Sequence, residues 1–539
     1  MNTIPTARGT DRNFFRPAGY STARHLRACR FRTILCRVGA VAMLQMFAVL
    51  AALAEPPSDT ERAAVLAKLA IDAGTITSVE RETEPTKTLK DGKSLNNLPP
   101  RTIVKLVLNP AKGSNINVEI WLPDSDKWNH RFLGLGNGGA AGRINPGSFA
   151  VPLTAGYAVA TTDMGTAPSA ASGNNNPEVW KDFGFRATHL MTTTAKQFIR
   201  AGYGRDADFS YFNGGSTGGQ QALQEAQRYP DDYDGIVANI PAHCRTPLHA
   251  YFLWNDQILS KCPFTESQQN NIIAAGNEYM APREIPATAG KLVSDPRYTG
   301  KDIESVIALA RQKDPSLTEE HAAALRKLFD GPRHAVTGER IFCGIPFGSS
   351  FNIAHGHLYL FNWVFGAGKN PRDINFGGDI DTYTAALGPY LNAENPDLGR
   401  FDKHGGKLIM VSGSADSCVP FHASLDYYER VVEVSGSLEK AMSYIRFYII
   451  PGMSHGPGPG VNSLPNMLDQ VIAWREKGVA PDKINGKRMA NGQTEFDIPL
   501  YPYPAKAVWD AGTNSYKKMY GPRGGVERIA GRFRPPAAE

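Results

Sequence analysis

The sequence predicts an α/β fold: a doubly wound, mainly parallel sheet with an inserted lid domain. Short apolar runs alternate with helical patterns along most of the chain, as in sheets covered by helices on both faces. Gly, Asn or Asp bounds most of these runs, which is typical of buried parallel strands. The alternation stops at about residue 242 and resumes after residue 396. This gap indicates that a second unit is inserted between two strands of the sheet.

Two half-exposed strands are expected first, because RTIVKLVL (101–108) and INVEIWL (116–122) alternate apolar and polar residues. The buried strands expected after them are RFLGLG, GYAVATT, DFSYFNG, DGIVANI, GKLIMVSG and SYIRFYIIPG. Residues 185–204 show a helical pattern between the second and third of these runs. The order of elements therefore predicts strands joined by helical crossovers.

The insertion is expected to form a lid over residues 243–396, with helical pieces in TESQQNNIIAAGNEYMA and TEEHAAALRKLFDG. The main domain then consists of two parts, residues 55–242 and 397–539. Its last segment, from Asn485, is rich in Pro, Gly, Tyr and Arg and is expected to wrap the surface without adding a strand.

The composition is that of an ordinary globular protein, with 539 residues, 42% of them hydrophobic, and a net charge of +6. Part of this charge comes from arginines near the N-terminus: Arg24, Arg27, Arg30, Arg32 and Arg37. The rest of the chain mixes both signs, whereas a nucleic-acid partner requires a concentrated basic face. No nucleic-acid partner is therefore expected.

The arginines precede an apolar run, VGAVAMLQMFAVLAALAEPP, that ends in small residues. A basic flank, a short apolar core and small residues at a cleavage site predict a signal peptide over residues 1–54, removed after Ala54. The run is short for a membrane span, which needs about 20 apolar residues. The alternative is a retained N-terminal anchor. With cleavage, the mature protein is expected to be secreted or periplasmic and without a membrane segment.

The cysteines are interpreted in the light of this export. Cys29 and Cys36 leave with the signal peptide. The mature chain keeps Cys244, Cys262, Cys343 and Cys418. In an oxidising compartment these four allow two disulfides in any of three connectivities. They show no C-x-x-C spacing, so neither a zinc site nor a redox motif is indicated.

A candidate nucleophile, Ser216, lies in GGSTGG between a strand-like run and a helical pattern. A G-x-S-x-G turn between a strand and a helix lifts the serine hydroxyl above the sheet. The backbone N–H of Thr217 then becomes an oxyanion donor at the start of the helix. The alternative is a plain glycine-rich loop. In FLGLGNGGAAG, Gly138 and Gly139 are candidates for the second donor, because glycine permits close backbone approach.

An acid and a base are needed to activate a serine, and each has a candidate after a later apolar strand. Asp416 follows GKLIMVSG, where it alternatively serves as an Asx-turn residue. His455 follows SYIRFYII in a glycine-rich loop and comes after the acid in chain order. Carboxyl ends of parallel strands meet at one sheet edge, so we expect these side chains to lie near Ser216.

The chain resembles the tannase and feruloyl esterase family of α/β-hydrolases, in several stretches and in their order. These include GNGGAAG, DFGFRATHLMT, GGSTGGQQAL, GGKLIMVSGSADSCVP, IIPGMSHGPGPG and WREKGVAPDKI. The resemblance implies a Ser216–Asp416–His455 triad, a lid that shapes an aromatic-acid pocket, and no cofactor. It implies that the substrates are small-molecule esters of gallic, hydroxycinnamic or related aromatic acids. Bacterial hydrolases of terephthalate half-esters are similar as well.

Two features depart from the family pattern. Relatives usually carry a disulfide between the positions of Gly215 and Gly456, so here the loop must be held in another way. One possible arrangement pairs Cys244 with Cys418, because fold order places them after neighbouring strands, and Cys262 with Cys343. Many relatives also have an aspartate-rich calcium loop in the lid. No such spacing is found here, so no metal is expected.

The substrate pocket is the least defined feature of the sequence. Several aromatic residues of the insertion could stack on an aromatic acyl group or belong to the core: Tyr251, Phe252, Trp254, Phe347 and Trp363. A hydrolase of non-aromatic esters or other acyl bonds remains an alternative, because one triad serves many substrates. A non-catalytic binding protein with this fold is a third. The oligomeric state stays open.

Overall fold

The computed structural model describes residues 55–140, 142–280, 284–285, 292–293, 295–351, 358, 360–456, 458, 460–525 and 529. The chain divides into two compact units, Met1–Pro56 and Pro57–Glu539. The predicted signal peptide, residues 1–54, lies outside the described residues. All that follows concerns the second unit.

The strands and helices have the following bounds. The strands are β1 (Gly74–Glu82), β2 (Lys87–Thr88), β3 (Ser94–Leu95), β4 (Arg101–Leu108), β5 (Ile116–Pro123), β6 (Arg131–Leu135), β7 (Ala158–Thr162), β8 (Phe209–Gly215), β9 (Gly235–Asn239), β10 (Glu284–Ile285), β11 (Leu292–Val293), β12 (Lys407–Gly413), β13 (Ile445–Ile450), β14 (Ile484–Ala490), β15 (Gln493–Leu500), β16 (Ala505–Asp510) and β17 (Ser515–Tyr520). The helices are α1 (Arg62–Leu66), α2 (Ala150–Thr154), α3 (Pro177–Lys181), α4 (Ala187–Tyr203), α5 (Thr217–Arg228), α6 (Arg245–Lys261), α7 (Glu266–Met280), α8 (Gly300–Lys313), α9 (Glu319–Asp330), α10 (Asn362–Phe365), α11 (Gly378–Leu391), α12 (Gly399–Lys403), α13 (Phe421–Ser435), α14 (Leu438–Met442) and α15 (Met467–Lys477). None of the described helices is long and apolar enough to cross a bilayer.

One nine-stranded sheet forms the centre, in the order β1-β4-β5-β7-β6-β8-β9-β12-β13. The pairs from β7–β6 through β12–β13 are parallel, and β1, β4 and β5 extend the sheet antiparallel. The predicted mainly parallel sheet is therefore confirmed. Gly215 at the end of β8 pairs with Asn239, and Asn239 pairs with Val411 of β12. The loops that follow these strands consequently leave the sheet at one edge.

The stretch between β9 and β12 is mainly helical. No described residue between Asn239 and Lys407 joins the nine-stranded sheet. Helices α6 to α9 contribute to an apolar cluster in which Leu325, Leu328 and Phe342 are fully buried, and Val419 and Ala423 from the region after β12 also belong to it. The boundaries 243–396 for an inserted lid domain stay a prediction.

The C-terminal segment corrects one expectation. The sequence predicts that it wraps the surface without adding a strand; none of its strands joins the main sheet, but β14–β15 and β16–β17 form two antiparallel hairpins of their own. In the sequence, the Asn-Gly pair between β14 and β15 indicates the turn of the first hairpin. Asn491 and Gly492 both have positive φ, 49° and 78°, as a two-residue hairpin turn requires.

The cysteines correct another expectation. Cys244, Cys262, Cys343 and Cys418 are free thiols, so the pairings Cys244–Cys418 and Cys262–Cys343 are not observed. Cys244 and Cys262 flank the two ends of α6, which a helix of that length separates by about 27 Å. Burial raises the pKa of the Cys244 thiol, and Cys343 adds to this rise, so Cys343 lies near the Cys244 end of the helix. Cys262 therefore lies far from its expected partner.

Candidate active site

Ser216 occupies a strained turn between β8 and α5. Its backbone has φ 58° and ψ −115°, a positive φ that is uncommon for a residue with a side chain. Such conformations cost on the order of 1–3 kcal/mol and persist only where the surroundings impose them. The Ser216 N–H donates to the Asn239 carbonyl at 3.0 Å, and its carbonyl accepts from Ala242 at 3.0 Å. The turn is therefore held by the loop after β9.

Two glycines near Ser216, Gly214 and Gly136, are required by close backbone packing. A Cβ on Gly214 would lie 2.3 Å from the Gly218 carbonyl oxygen. A Cβ on Gly136, in the loop after β6, would lie 2.6 Å from the Gly218 Cα. Both distances are shorter than atoms tolerate, so only glycine fits at Gly214 and Gly136. The turn motif predicted from the sequence therefore corresponds to a real steric constraint.

His455 lies between Ser216 and Asp416. Its Nε2 is 3.1 Å from the Ser216 Oγ, and its Nδ1 is 2.9 Å from the Asp416 Oδ2. Asp416 is fully buried, and its Oδ1 accepts backbone N–H groups of Cys418 and Val419 at 2.8 Å each. These two bonds orient the carboxylate toward the imidazole. The structure thus brings the three sequence-predicted residues together in one chain of hydrogen bonds.

The candidate oxyanion donors lie beside Ser216. Thr217 is the first residue of α5, so its N–H has no partner within the helix. Gly139 has φ 60°, and its carbonyl accepts a hydrogen bond from the Thr217 hydroxyl. A Cβ on Gly138 would meet no atom within 4 Å. The loop that carries both glycines therefore borders open space next to the nucleophile.

Two polar residues that the sequence analysis missed hold this loop. The Asn137 carbonyl accepts from the Gly218 N–H at 2.7 Å, and the Asn137 N–H donates to Gln221 Oε1 at 2.8 Å. Asn137 lies in the GNGG motif and Gln221 lies one turn into α5. Only the motif offered a sequence signal, since Gln221 resembles any other polar helix residue.

The comparison with known families decides the identity of the chain. A family model described as "Tannase and feruloyl esterase" matches residues 102–376 and 376–519. The chain belongs to the tannase and feruloyl esterase family. The protein is accordingly a carboxylic ester hydrolase that acts on small-molecule esters.

Curated relatives support the family assignment. An uncharacterised esterase of Xanthomonas campestris is 28% identical over 87% of this chain and 92% of its own length. A probable feruloyl esterase B-2 of Aspergillus flavus is 28% identical over 74% of this chain and 82% of its own. Both therefore share most of their length with this protein.

Solved structures of the family show the same fold. Feruloyl esterase B from Aspergillus oryzae superposes with a TM-score of 0.71 at 22% identity, over 86% of this chain and 100% of that one. A tannin acyl hydrolase from Aspergillus niger gives a TM-score of 0.68 at 20% identity, over 86% and 96%. The predicted α/β-hydrolase fold is therefore confirmed.

This family member has glycines, Gly215 and Gly456, where the resemblance implies a disulfide in its relatives, and hydrogen bonds join its acid and base loops. The Ser414 Oγ accepts from the Gly452 N–H at 2.7 Å, and the Ala415 N–H donates to the Met453 carbonyl at 3.0 Å. A Cβ on Gly413 would lie 2.2 Å from the same carbonyl oxygen, so the two backbones are in direct contact. These contacts connect the loop of Asp416 to the loop of His455.

The aromatic residues proposed for substrate stacking lie mostly in the core of this esterase. Tyr251, Phe252, Phe347 and Trp363 are all at most 8% exposed. The Tyr251 hydroxyl donates to the Ser417 carbonyl at 2.7 Å, so it supports the acid loop. Phe347 also borders a cavity of about 90 Å³ that Ser414, Ala415 and Gly452 line. Of these residues, Tyr251 therefore contacts the acid loop from the core, and Phe347 borders a cavity beside the acid and base loops.

A larger cavity of about 660 Å³ lies beside Gly138 and Gly139. Its lining includes the polar side chains of Arg143, Asn145, Ser148 and Ser169. No aromatic residue is among its described lining residues. Its chemistry suits a hydroxylated group better than an aromatic ring.

A cluster of possible metal ligands lies apart from the triad residues. Ligand atoms of His189, Glu225 and Asp232 lie within 4.8 Å of one another. His189 Nδ1 is already 2.6 Å from Asp232 Oδ2, and the Lys196 ammonium donates to the Asp232 carbonyl. Burial, with the nearby Asp232 charge, raises the pKa of Glu225 well above its usual value. Because His189 and Lys196 already bond to Asp232, we assign no metal to this cluster.

Proposed function

We propose that this protein is a serine esterase that hydrolyses esters of gallic, hydroxycinnamic or related aromatic acids through a Ser216–His455–Asp416 triad. The observation that carries the proposal is the position of His455, within hydrogen-bond distance of both Ser216 and Asp416. This is the geometry that a general base needs when it activates a serine. The family assignment supports the aromatic acyl group.

In the proposed mechanism, His455 removes the Ser216 proton as the hydroxyl attacks the ester carbonyl. Asp416 holds the imidazole with its Nδ1 proton directed at the carboxylate and stabilises the imidazolium that forms. The N–H of Thr217 and an N–H of the Gly138–Gly139 loop bind the developing oxyanion. His455 then protonates the leaving alcohol, and water attacks the acyl-enzyme by the same steps. The residues of the chain suffice for this chemistry.

The substrate assignment has one competing candidate, a hydrolase of non-aromatic esters. It is favoured by the burial of the insertion's aromatic side chains and by the polar cavity beside Gly138. The aromatic assignment is favoured by family membership and by the name of the Aspergillus flavus relative. We infer that the polar cavity receives the alcohol of the ester, because its lining offers hydroxyl, amide and guanidinium groups.

A substrate panel tests the proposal. Protein beginning at Glu55 is assayed on methyl gallate, methyl ferulate, a terephthalate half-ester and a short aliphatic ester. We expect a higher kcat/KM for an aromatic ester, and a loss of at least about 10⁴-fold in Ser216→Ala. Ser305→Ala, on the exposed side of α8, is the matched control and keeps full activity.

Each result has a definite meaning. Mass spectrometry of a slowly hydrolysed ester should find the acyl group on the Ser216 peptide. Full turnover by Ser216→Ala contradicts the triad. Preference for the aliphatic ester, with Ser216→Ala inactive, keeps the triad and replaces the aromatic assignment by the competing candidate.

We also propose that the protein is exported to the periplasm or the medium after cleavage behind Ala54. The support is the basic and apolar leader in the sequence. Expression of the full chain with N-terminal sequencing of the recovered protein tests this. A mature N-terminus at Glu55 in the periplasm or medium is expected, and an uncleaved chain in the cell pellet contradicts it.

A further inference from the structure

A buried arginine, Arg245, lies behind the candidate oxyanion site. It is the first residue of α6 and is 2% exposed. Its Nη1 donates to the Thr217 Oγ at 2.9 Å, and its Nη2 donates to the Gly139 carbonyl at 3.2 Å. The Thr217 hydroxyl in turn donates to the same carbonyl. One guanidinium thus joins the two segments that carry the candidate oxyanion donors.

The surroundings of Arg245 keep the guanidinium in place. Its Cζ lies 5.4 Å from the ring centroid of Phe183, which is fully buried. Burial raises the pKa of the Cys418 thiol to about 12, and the positive charge of Arg245 opposes that rise. Arg245 is therefore within electrostatic range of the acid loop as well. A buried cation at this point bonds to two segments of the candidate active site, those of Thr217 and Gly139.

We infer that Arg245 is a positioning residue for the oxyanion hole, a role that rests on the proposed triad. Its two donated bonds hold the Gly139 carbonyl against the Thr217 side chain, and so keep the two segments that carry the candidate N–H donors next to each other. Its charge is buried, where it favours negative charge on the substrate oxygen. This interaction strengthens as the oxyanion forms, so it lowers the barrier without strengthening binding of the ester.

The test compares Arg245→Met and Arg245→Lys with the wild type on one ester. We expect kcat to fall about 100-fold in Arg245→Met, the range seen for loss of one oxyanion donor. Arg245→Lys keeps the charge but cannot donate from two fixed nitrogens at once, so we expect kcat to fall about 10-fold. Affinity for an arylboronic acid, which forms a tetrahedral adduct with the serine, should fall in parallel with kcat. Affinity for the product acid and KM should stay within about twofold of wild type, because neither reports the oxyanion.

Arg62→Met is the matched control. Arg62 is fully buried and also donates to backbone carbonyls, those of Gly202 and Pro123. It contacts none of the candidate catalytic loops, so this variant should lose thermal stability and keep kcat and boronate affinity. If Arg62→Met lost as much kcat as Arg245→Met, the effect of Arg245 would be a general effect of losing a buried arginine, and the inference would be wrong.

Further variants keep the inference testable if Arg245→Met does not fold. Thr217→Val removes the hydroxyl through which Arg245 acts and keeps the N–H of residue 217. Its effect on kcat should be non-additive with that of Arg245→Lys. Wild-type kcat and boronate affinity in a folded Arg245→Lys protein overturn the inference. Ser216→Ala, assayed in parallel, separates this failure from a failure of the triad, because it is inactive only if the triad is correct.

Discussion

The sheet edge that carries Ser216, Asp416 and His455 uses its side chains differently from the stretch between β9 and β12. At the edge, polar groups from loops far apart in the chain bond to one another, as Ser414 does with Gly452. In the inserted stretch, large aromatic residues such as Trp363 pack inward, away from solvent. Aromatic content near a site is therefore poor evidence of recognition, whereas polar groups that converge from separate strands indicate chemistry.

Of the variants proposed for this comparison, Asp416→Asn should cause the largest loss of activity at the sheet edge. An amide still accepts the N–H groups of Cys418 and Val419, so the fold should be kept. Its NH₂ group cannot accept the Nδ1 proton of His455, so the wrong tautomer faces Ser216. We expect kcat to fall about 10⁴-fold at neutral pH. Steady-state kinetics measure this, with the exposed Asp206→Asn as a control, and a loss below tenfold would contradict the role of Asp416.

Ser414→Ala breaks the bond between the acid and base loops. The Gly452 N–H loses its acceptor, which costs about 1–3 kcal/mol of unfolding free energy. We expect kcat to fall about 10-fold because His455 shifts relative to Ser216. Kinetics and urea denaturation measure the two effects.

Ser412→Ala is the control for that experiment, because Ser412 is buried near the end of β12, two residues before Ser414, and its hydroxyl has no partner. It should leave kcat unchanged and not lower stability. Similar losses of kcat in both variants would mean that the bond to Gly452 has no particular role.

Tyr251→Phe tests the connection between the two regions, since its hydroxyl on α6 supports the Ser417 carbonyl. We expect a loss of about threefold in kcat and about 1 kcal/mol in unfolding free energy. Tyr428→Phe is the matched control, because the Tyr428 hydroxyl is buried without a partner. If Tyr251→Phe behaves like this control, the inserted stretch does not act on the acid loop through Tyr251.

Glu394→Gln should change stability alone. Burial raises the pKa of Glu394 to about 7, while the nearby Arg430 opposes the rise and Asp426 adds to it. A carboxyl that binds its proton more tightly in the folded state stabilises the fold at low pH. That contribution declines as pH rises from about 4.5 to about 7.

The wild type should therefore lose on the order of 1–3 kcal/mol through Glu394 between pH 4.5 and pH 8, and Glu394→Gln should lose less. Chemical denaturation at several pH values measures this, with the exposed Glu320→Gln as a control. If the unfolding free energy of Glu394→Gln and of Glu320→Gln changed equally with pH, Glu394 would not contribute to the pH dependence of stability. We expect kcat to be unchanged.

Local patterns were sufficient for most of the sheet. The predicted strands 101–108 and 116–122 match β4 and β5, and all the later apolar runs contain strands. The expectation that the first two are half-exposed was wrong, because β4 and β5 lie inside the sheet between β1 and β7 and are mostly buried. β1 was missed because a bulge between Ile76 and Ser78 interrupts its alternation. The hairpins after Asn485 were missed although Asn491-Gly492 signals a turn, because a composition rich in Pro and Gly was read as irregular structure.

By itself, the sequence determined which residues follow which strand, and so which side chains reach the edge where Ser216, Asp416 and His455 meet. Strand, turn and helix preferences depend on residues close in sequence, so they can be predicted from the sequence alone. Only the tertiary structure decided the location of Arg245, the bond from Ser414 to Gly452 and the free state of the cysteines. Those outcomes depend on packing between segments distant in sequence. The residue type of an arginine does not show whether its side chain is buried or exposed.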